Sequence, residues 1–369
     1  AARFAALLAL RARPALGARA NGSGSDGAER AAANCSLADA PGGAVPTVDV
    51  SPFVDPEHYD DAARAACGRA WDAAMRDVGF ARVAGHGVPP EIVADLREGA
   101  ARFFARPPAE KVQYDHGPYG NPLGGYTGAG VEAVARSRDG HGSDAGGADE
   151  TAPPDVVESF VFKPDEATKP KPQELDVPGR AYHAALLKVL AVLHAVTASA
   201  LSLPEDFFAP FYAPSPDAHL RLSFYPPFPT DSKAIRYGEH TDYTGYTILA
   251  QDDSDIGEVG GGGLEVLAKG GEWLAVVPEK DTFVVNIGDL YEIWTNGRWR
   301  STVHRVARPA PGSGAALNAR LSIPFFTGPK GDALIEVLPT CVDATTPARY
   351  APVTAGEHLR RKLGISNAN

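Results

Sequence analysis

Glu239-His240-Thr241-Asp242-Tyr243 sets an imidazole and a carboxylate two residues apart. In an extended segment such a pair leaves from one face, about 7 Å apart at the backbone, so both side chains can converge on a single ion. An HxD by itself is a weak signal, because ten histidines allow one chance match and a polar loop end reads the same way. His304 adds to it from the run Ser301-Thr302-Val303-His304-Arg305-Val306. Alternation there groups Thr302, His304 and Val306 on one side, with Val303 and Arg305 on the other. The histidine shares the face of a valine and is expected to point inward, although one inward histidine alone reads first as a satisfied core residue. Two histidines and a carboxylate on neighbouring strands make a facial triad. That arrangement leaves three positions of an octahedral ferrous ion open for O2 and a chelating cosubstrate.

Ala319-Arg320-Leu321-Ser322-Ile323 carries a second device. Arg320 and Ser322 share one face, opposite Leu321 and Ile323. An arginine buried in a barrel is costly unless an anion compensates it, and guanidinium plus hydroxyl is a good receptor for a carboxylate. Leu220–Tyr225 repeats the pattern, with Leu220, Leu222 and Phe224 on one face and Arg221, Ser223 and Tyr225 on the other, so Tyr225 offers a further donor. The alternative is an arginine exposed on an edge strand.

These residues lie in a region of short alternating runs separated by Gly, Pro and Asp: His219–Tyr225, Tyr246–Ala250, Leu264–Leu267, Trp273–Val277, Thr282–Ile287, Thr302–Ala307 and Arg320–Phe326. Such texture predicts a β-sandwich or barrel. Before it, Val45–Val50 alternates as a strand. Ala63, Cys67, Trp71, Met75 and Val78 then recur at helical spacing, as do Ile92, Leu96, Ala100 and Phe103. A long helix is predicted over about 179–202, with Tyr182, Leu186, Val189, Leu193 and Val196 on one side. Residues 137–155 are too rich in Gly, Ser, Asp and Pro for a regular element and read as a surface insertion. Gly260–Gly263 are followed by no Lys-Ser/Thr, which argues against a phosphate loop.

Across 369 residues, 35 Lys+Arg against 46 Asp+Glu leave a formal charge of −11, which argues against a nucleic-acid partner. Three scattered cysteines, Cys35, Cys67 and Cys341, form no CxxC and favour an intracellular or redox-indifferent protein. No apolar stretch approaches the ~20 residues of a membrane span, so a soluble protein with no membrane partner is expected. Residues 1–20 contain four arginines and no acid. They suit an organelle transit peptide, with a signal peptide or a disordered lead as alternatives.

The stretch from about 218 to 327 resembles the catalytic domain of the Fe(II)/2-oxoglutarate-dependent dioxygenases of the isopenicillin N synthase-like family. The residues that carry the resemblance are His240-Thr241-Asp242, Gly263–Val266, Phe283–Asp289, Thr295–Arg298, Ser301–Val306 and Arg320-Leu321-Ser322. Val45–Asp49, Gly79-Phe80, Gly85–Val88, Gly125-Tyr126 and Glu158–Phe160 resemble the helical region that precedes it. The resemblance implies a mainly β fold with flanking helices: a double-stranded β-helix (jelly roll) core and an N-terminal helical region. Composition sets apart a disordered or targeting leader over 1–43, and the resemblance then places an N-terminal dioxygenase region over 44–175 with the insertion at 137–155, a helix plus jelly-roll catalytic region over 176–330 and a C-terminal extension over 331–369. Fe(II) would be held by His240, Asp242 and His304, and the far carboxylate of 2-oxoglutarate would meet Arg320, Ser322 and Tyr225. With O2 as cosubstrate, a small molecule would be oxidised, usually hydroxylated, with release of succinate and CO2. Ser223 and Phe224 depart from the Asn and Tyr that plant members often carry. Asn286 and Thr295–Arg298 match but read as turn-closing structure, His86 as packing and His141 as solvated. Substrate-pocket walls are expected around Tyr126, Phe160 and 251–262. R-x-S alone leaves other readings open: an isopenicillin N synthase-like or aminocyclopropane-carboxylate-oxidase-like oxidase that does not use 2-oxoglutarate, a metal- or ligand-binding protein without turnover, or a zinc hydrolase.

Overall fold

The computed structural model describes residues 45–115, 124–131, 155–164, 170–227, 236–251, 263–308 and 319–366. The expected leader, His141, residues 137–154 of the insertion and 252–262 lie outside them. Each of the seven alternating runs contains a strand. The strands are β1 (Thr47–Asp49), β2 (Phe80–Ala84), β3 (Gly125–Thr127), β4 (Glu158–Phe162), β5 (Asp217–Tyr225), β6 (Tyr237–His240), β7 (Tyr246–Ala250), β8 (Leu264–Leu267), β9 (Trp273–Ala275), β10 (Phe283–Ile287), β11 (His304–Val306), β12 (Arg320–Gly328), β13 (Leu334–Ile335) and β14 (Val353–Thr354). One sheet has the order β1-β2-β10-β7-β12-β5-β4-β3, and a smaller one the order β6-β11-β8-β9. Pairing in both is antiparallel except between β1 and β2. The large sheet thus draws strands from both sides of residue 175.

Period-two alternation gives the large sheet two different faces. Leu220, Leu222, Ile248, Val285, Ile323 and Phe325 project from one face into the main core, which they share with the helices. Each such side chain, fully buried, contributes roughly 1.5–3 kcal/mol. The opposite face looks toward the small sheet. There Phe80 and Val284 pack with Leu264, Val266 and Val276 in a second apolar cluster, and the remaining space is a cavity between the sheets. The result is a mainly β jelly roll with flanking helices.

The longer helices are α1 (Asp61–Asp77), α2 (Pro90–Phe104), α3 (Gln173–Ala200) and α4 (Ala355–Ser366). Asp60 caps α1 by accepting the Ala63 N–H at 2.8 Å. α3 starts six residues before the predicted position, with Pro178 inside it. Proline has no N–H and crowds the carbonyl four residues earlier. That carbonyl, on Glu174, lies against Gly99 of α2, where a Cβ would come within 2.2 Å of it. A glycine on the neighbouring helix therefore accommodates the interruption.

One expectation needs correction. α3 is long and apolar enough to pass as a membrane span by length and composition alone. Its apolar content has a packing reason: Leu175, Tyr182, Leu186, Leu193 and Val196 are sealed in the main core. α4 is fastened by His358 and Lys362, whose nitrogens lie 3.1 and 3.0 Å from the buried Asp289 carboxylate.

Candidate active site

His240 ends β6 and His304 begins β11, and the two are direct cross-strand partners. Their rings stand 4.2 Å apart between centroids. His240 Nδ1 lies 2.8 Å from the Gly238 carbonyl and His304 Nδ1 3.1 Å from the Thr302 carbonyl. A carbonyl only accepts, so each Nδ1 carries a hydrogen, the tautomer in which a neutral ring presents its lone pair at Nε2. Burial, followed by the neighbouring His304, pushes the His240 pKa well below the ordinary imidazole value, which keeps the ring neutral. A neutral imidazole is the form that binds a metal.

Asp242 divides its two oxygens. Oδ2 accepts hydrogen bonds from Thr247 Oγ1 and Asn286 Nδ2, both at 2.5 Å. Oδ1 faces the histidines, 3.8 Å from each Nε2. The three donor atoms lie within 4.8 Å of one another, and all three residues are buried. Two imidazole nitrogens and one carboxylate oxygen, each with its other polar atom already engaged, form a donor set that fits Fe(II). The backbone at Asp242 is tied as well. The N–H groups of Asp289 and Leu290, in the first turn of a short helix, donate to the Asp242 and Thr244 carbonyls at 2.9 and 3.2 Å.

The cavity wall opposite contains Arg320, Ser322 and Tyr225. Arg320 is only 3% exposed. It pairs across the sheet with Tyr225, over whose ring its guanidinium lies at 5.7 Å. Ser322 pairs with Ser223 in the same register. The structure thus brings all six residues singled out from the sequence into the wall of one cavity.

Several residues carry more than the sequence suggested. Asn286, read as turn-closing structure, hydrogen-bonds the Asp242 carboxylate, and Thr247, which has no motif to mark it, does the same. They are cross-strand partners on β10 and β7, so alternation on both strands was the available signal. Arg221 shares the face of Tyr225, as alternation predicted. Its side chain lines the cavity, donates to Ser223 Oγ at 3.1 Å and to Tyr237 Oη at 3.3 Å, and its charge is felt at His240. Phe224 lies on the opposite face, stacked on Phe104. Tyr126 and Phe160 are not in the cavity wall. They pack against Phe103, and the N-terminal region instead contributes Phe80, edge-on to His304 at 5.2 Å. His86 packs against Phe283, with ring centroids 4.3 Å apart and the planes tilted by 38°. Asp155, at the end of the insertion, is buried and accepts the Gly238 N–H at 2.9 Å.

Comparison with known proteins agrees with this geometry. The profile of the 2OG-Fe(II) oxygenase superfamily matches residues 216–329, and that of the non-haem dioxygenase in morphine synthesis N-terminal region matches 45–181. The chain is 30% identical to homoarginine-6-hydroxylase 2-ODD-233 of Oryza sativa subsp. japonica, over 87% of this chain and 96% of that one. It is 32% identical to the 2-oxoglutarate-Fe(II) type oxidoreductase ppzC of Metarhizium rileyi, over 87% of each. The crystal structure of a full-length Neurospora crassa protein in complex with alpha-KG superposes with a TM-score of 0.72 at 25% identity, covering 90% of this chain and 98% of that one. With these relatives covered nearly end to end, both profiles matched in order and a buried His-Asp-His cluster inside the second, the chain belongs to the 2OG-Fe(II) oxygenase superfamily and is a 2-oxoglutarate- and Fe(II)-dependent dioxygenase.

Proposed function

We propose that His240 Nε2, His304 Nε2 and Asp242 Oδ1 hold the iron, that Arg320, Ser322 and Tyr225 receive the far carboxylate of 2-oxoglutarate, and that the enzyme hydroxylates a small molecule bearing an acid group. The observation that carries this reading is the orientation of the three ligands: each has one polar atom tied to the protein and the other turned to a shared point. When bound, iron and 2-oxoglutarate supply the O2 chemistry that oxidises a C–H bond and yields succinate and CO2.

The chain's own residues do the rest. The Gly238 and Thr302 carbonyls hold both imidazoles in the ligating tautomer. Thr247 and Asn286 keep Asp242 from rotating. Phe80, Leu249, Leu264 and Val306 line the cavity with apolar surface and exclude water. Arg320 offers a planar fork to a carboxylate in a dry wall, where such a pair is strong. An acid group on the substrate is supported by Arg221, a second buried guanidinium in the same wall, and by the amino acid for which the related homoarginine hydroxylase is named.

Succinate formation from 2-oxoglutarate tests the reading, with L-homoarginine and other amino acids each compared with its carboxamide. The acids are expected to stimulate turnover more than the amides, and Arg221→Met to raise KM for the acids roughly 10–100-fold. His304→Ala is expected to lose both metal retention and turnover; full activity in that variant would defeat the ligand assignment.

A further inference from the structure

His240 and His304 face each other across two very short strands. Between β6 and β11 only His304 with His240 and Val306 with Tyr237 are in register, and the ladder shifts between those two pairs. Main-chain pairing is therefore thin at the point where two ligands must keep a fixed separation. On the other face of the small sheet, the residues adjacent to the two histidines meet. Arg305 Nη1 lies 3.1 Å from Glu239 Oε1, and Arg305 Nε lies 2.8 Å from Glu265 Oε2 on β8. The same guanidinium lies 3.8 Å over the ring of Trp273 on β9. Arg305 and Glu265 are direct cross-strand partners. One side chain thus joins β11 to each of the other three strands. Arginine is suited to this task, because a planar fork can engage two carboxylates while its face stacks on an indole.

We propose that Arg305 is a positioning residue for the metal centre: through Glu239, Glu265 and Trp273 it locks β6 and β11 so that His240 and His304 hold the spacing one ion requires. It acts from outside, since alternation turns its side chain away from the cavity, and the proposal rests on these histidines being metal ligands.

The test is Mn(II) affinity, measured by the EPR signal of the free ion, on the full-length metal-free protein without 2-oxoglutarate. Thermal unfolding of each metal-free variant is recorded alongside. Arg305→Met is expected to weaken Mn(II) binding about 10-fold, in the range usual for residues behind a metal ligand. Arg305→Lys, which keeps the charge but not the stacked fork, should lose roughly 3-fold with metal-free unfolding close to that of the parent. Parent-like affinity in Arg305→Lys and in any folded Arg305→Met would overturn the proposal. So would a loss that only tracks a lower metal-free unfolding temperature and that lysine does not partly restore. If His304→Ala binds Mn(II) as tightly as the parent, the ligand assignment itself fails, a result distinct from either outcome at Arg305.

Discussion

Asp242 shows how one side chain is oriented for the ligand role proposed for it. Its carboxylate is buried, and two neutral donors on β7 and β10 direct their hydrogen bonds to a single oxygen. That leaves the other oxygen to face His240 and His304. Asn286→Ala removes one donor and is expected to weaken metal binding 10–100-fold while leaving the protein folded. Titration of the metal-free variant with Fe(II) under anaerobic conditions checks this, and an affinity equal to the parent's would count against the role given to Asn286. His240, Asp242 and His304 were legible in the sequence because residue type and two-residue alternation are local properties. Asn286 and Thr247 were not, because an amide and a hydroxyl fit a turn as well as a site until the register of β7 against β10 is known.

At the scale of elements, the packing of α2 on α3 turns on a missing Cβ. Gly99 admits the Glu174 carbonyl that Pro178 displaces from its helical hydrogen bond. Gly99→Ala would gain about 0.8–1 kcal/mol in helix propensity. The added methyl would sit 2.2 Å from a backbone oxygen, so one helix must move, and overpacking of this kind costs typically 1–3 kcal/mol. The expected outcome is a net loss of stability, seen as a lower urea midpoint with the slope unchanged. A midpoint at or above the parent's would show that the contact is not tight. The start of α3 escaped the sequence reading for the same reason: a proline six residues into a helix is normally a boundary, and only the facing helix explains why here it is not.

For the whole molecule, two histidines outside the metal cluster make stability depend on pH. Burial lowers His194 to about 3. Burial, then the charges of Lys163 and Arg221, lowers His219 to about 3 as well. His194 Nε2 and His219 Nδ1 are sealed from solvent without a hydrogen-bond partner among the described residues. In the unfolded chain each ring takes up a proton below about 6.5, whereas in the folded chain it stays neutral down to about 3. Between these values the unfolded state binds more protons. The stability these groups provide is therefore complete above about pH 6.5 and is lost as pH falls toward 3, by up to ~1.4 kcal/mol per pH unit for each ring. Urea unfolding of the metal-free protein at about pH 7 and pH 5 measures the slope, and His194→Phe is expected to flatten it. An unchanged slope would argue against burial as the cause.

The sequence by itself determined which side chains were available for chemistry and which face of its own strand each would take, because alternation depends only on the backbone of that strand. It also carried the family, through motifs whose residue types suit a metal ion and a carboxylate. Tertiary structure decided which strands became neighbours, and with that whether donors distant along the chain would meet at one point. The partners of Asp242, the entry of Phe80 from the N-terminal region and the Arg305 fork behind the histidines all follow from sheet order and register. Those are set by the packing of the whole core, which no local pattern encodes.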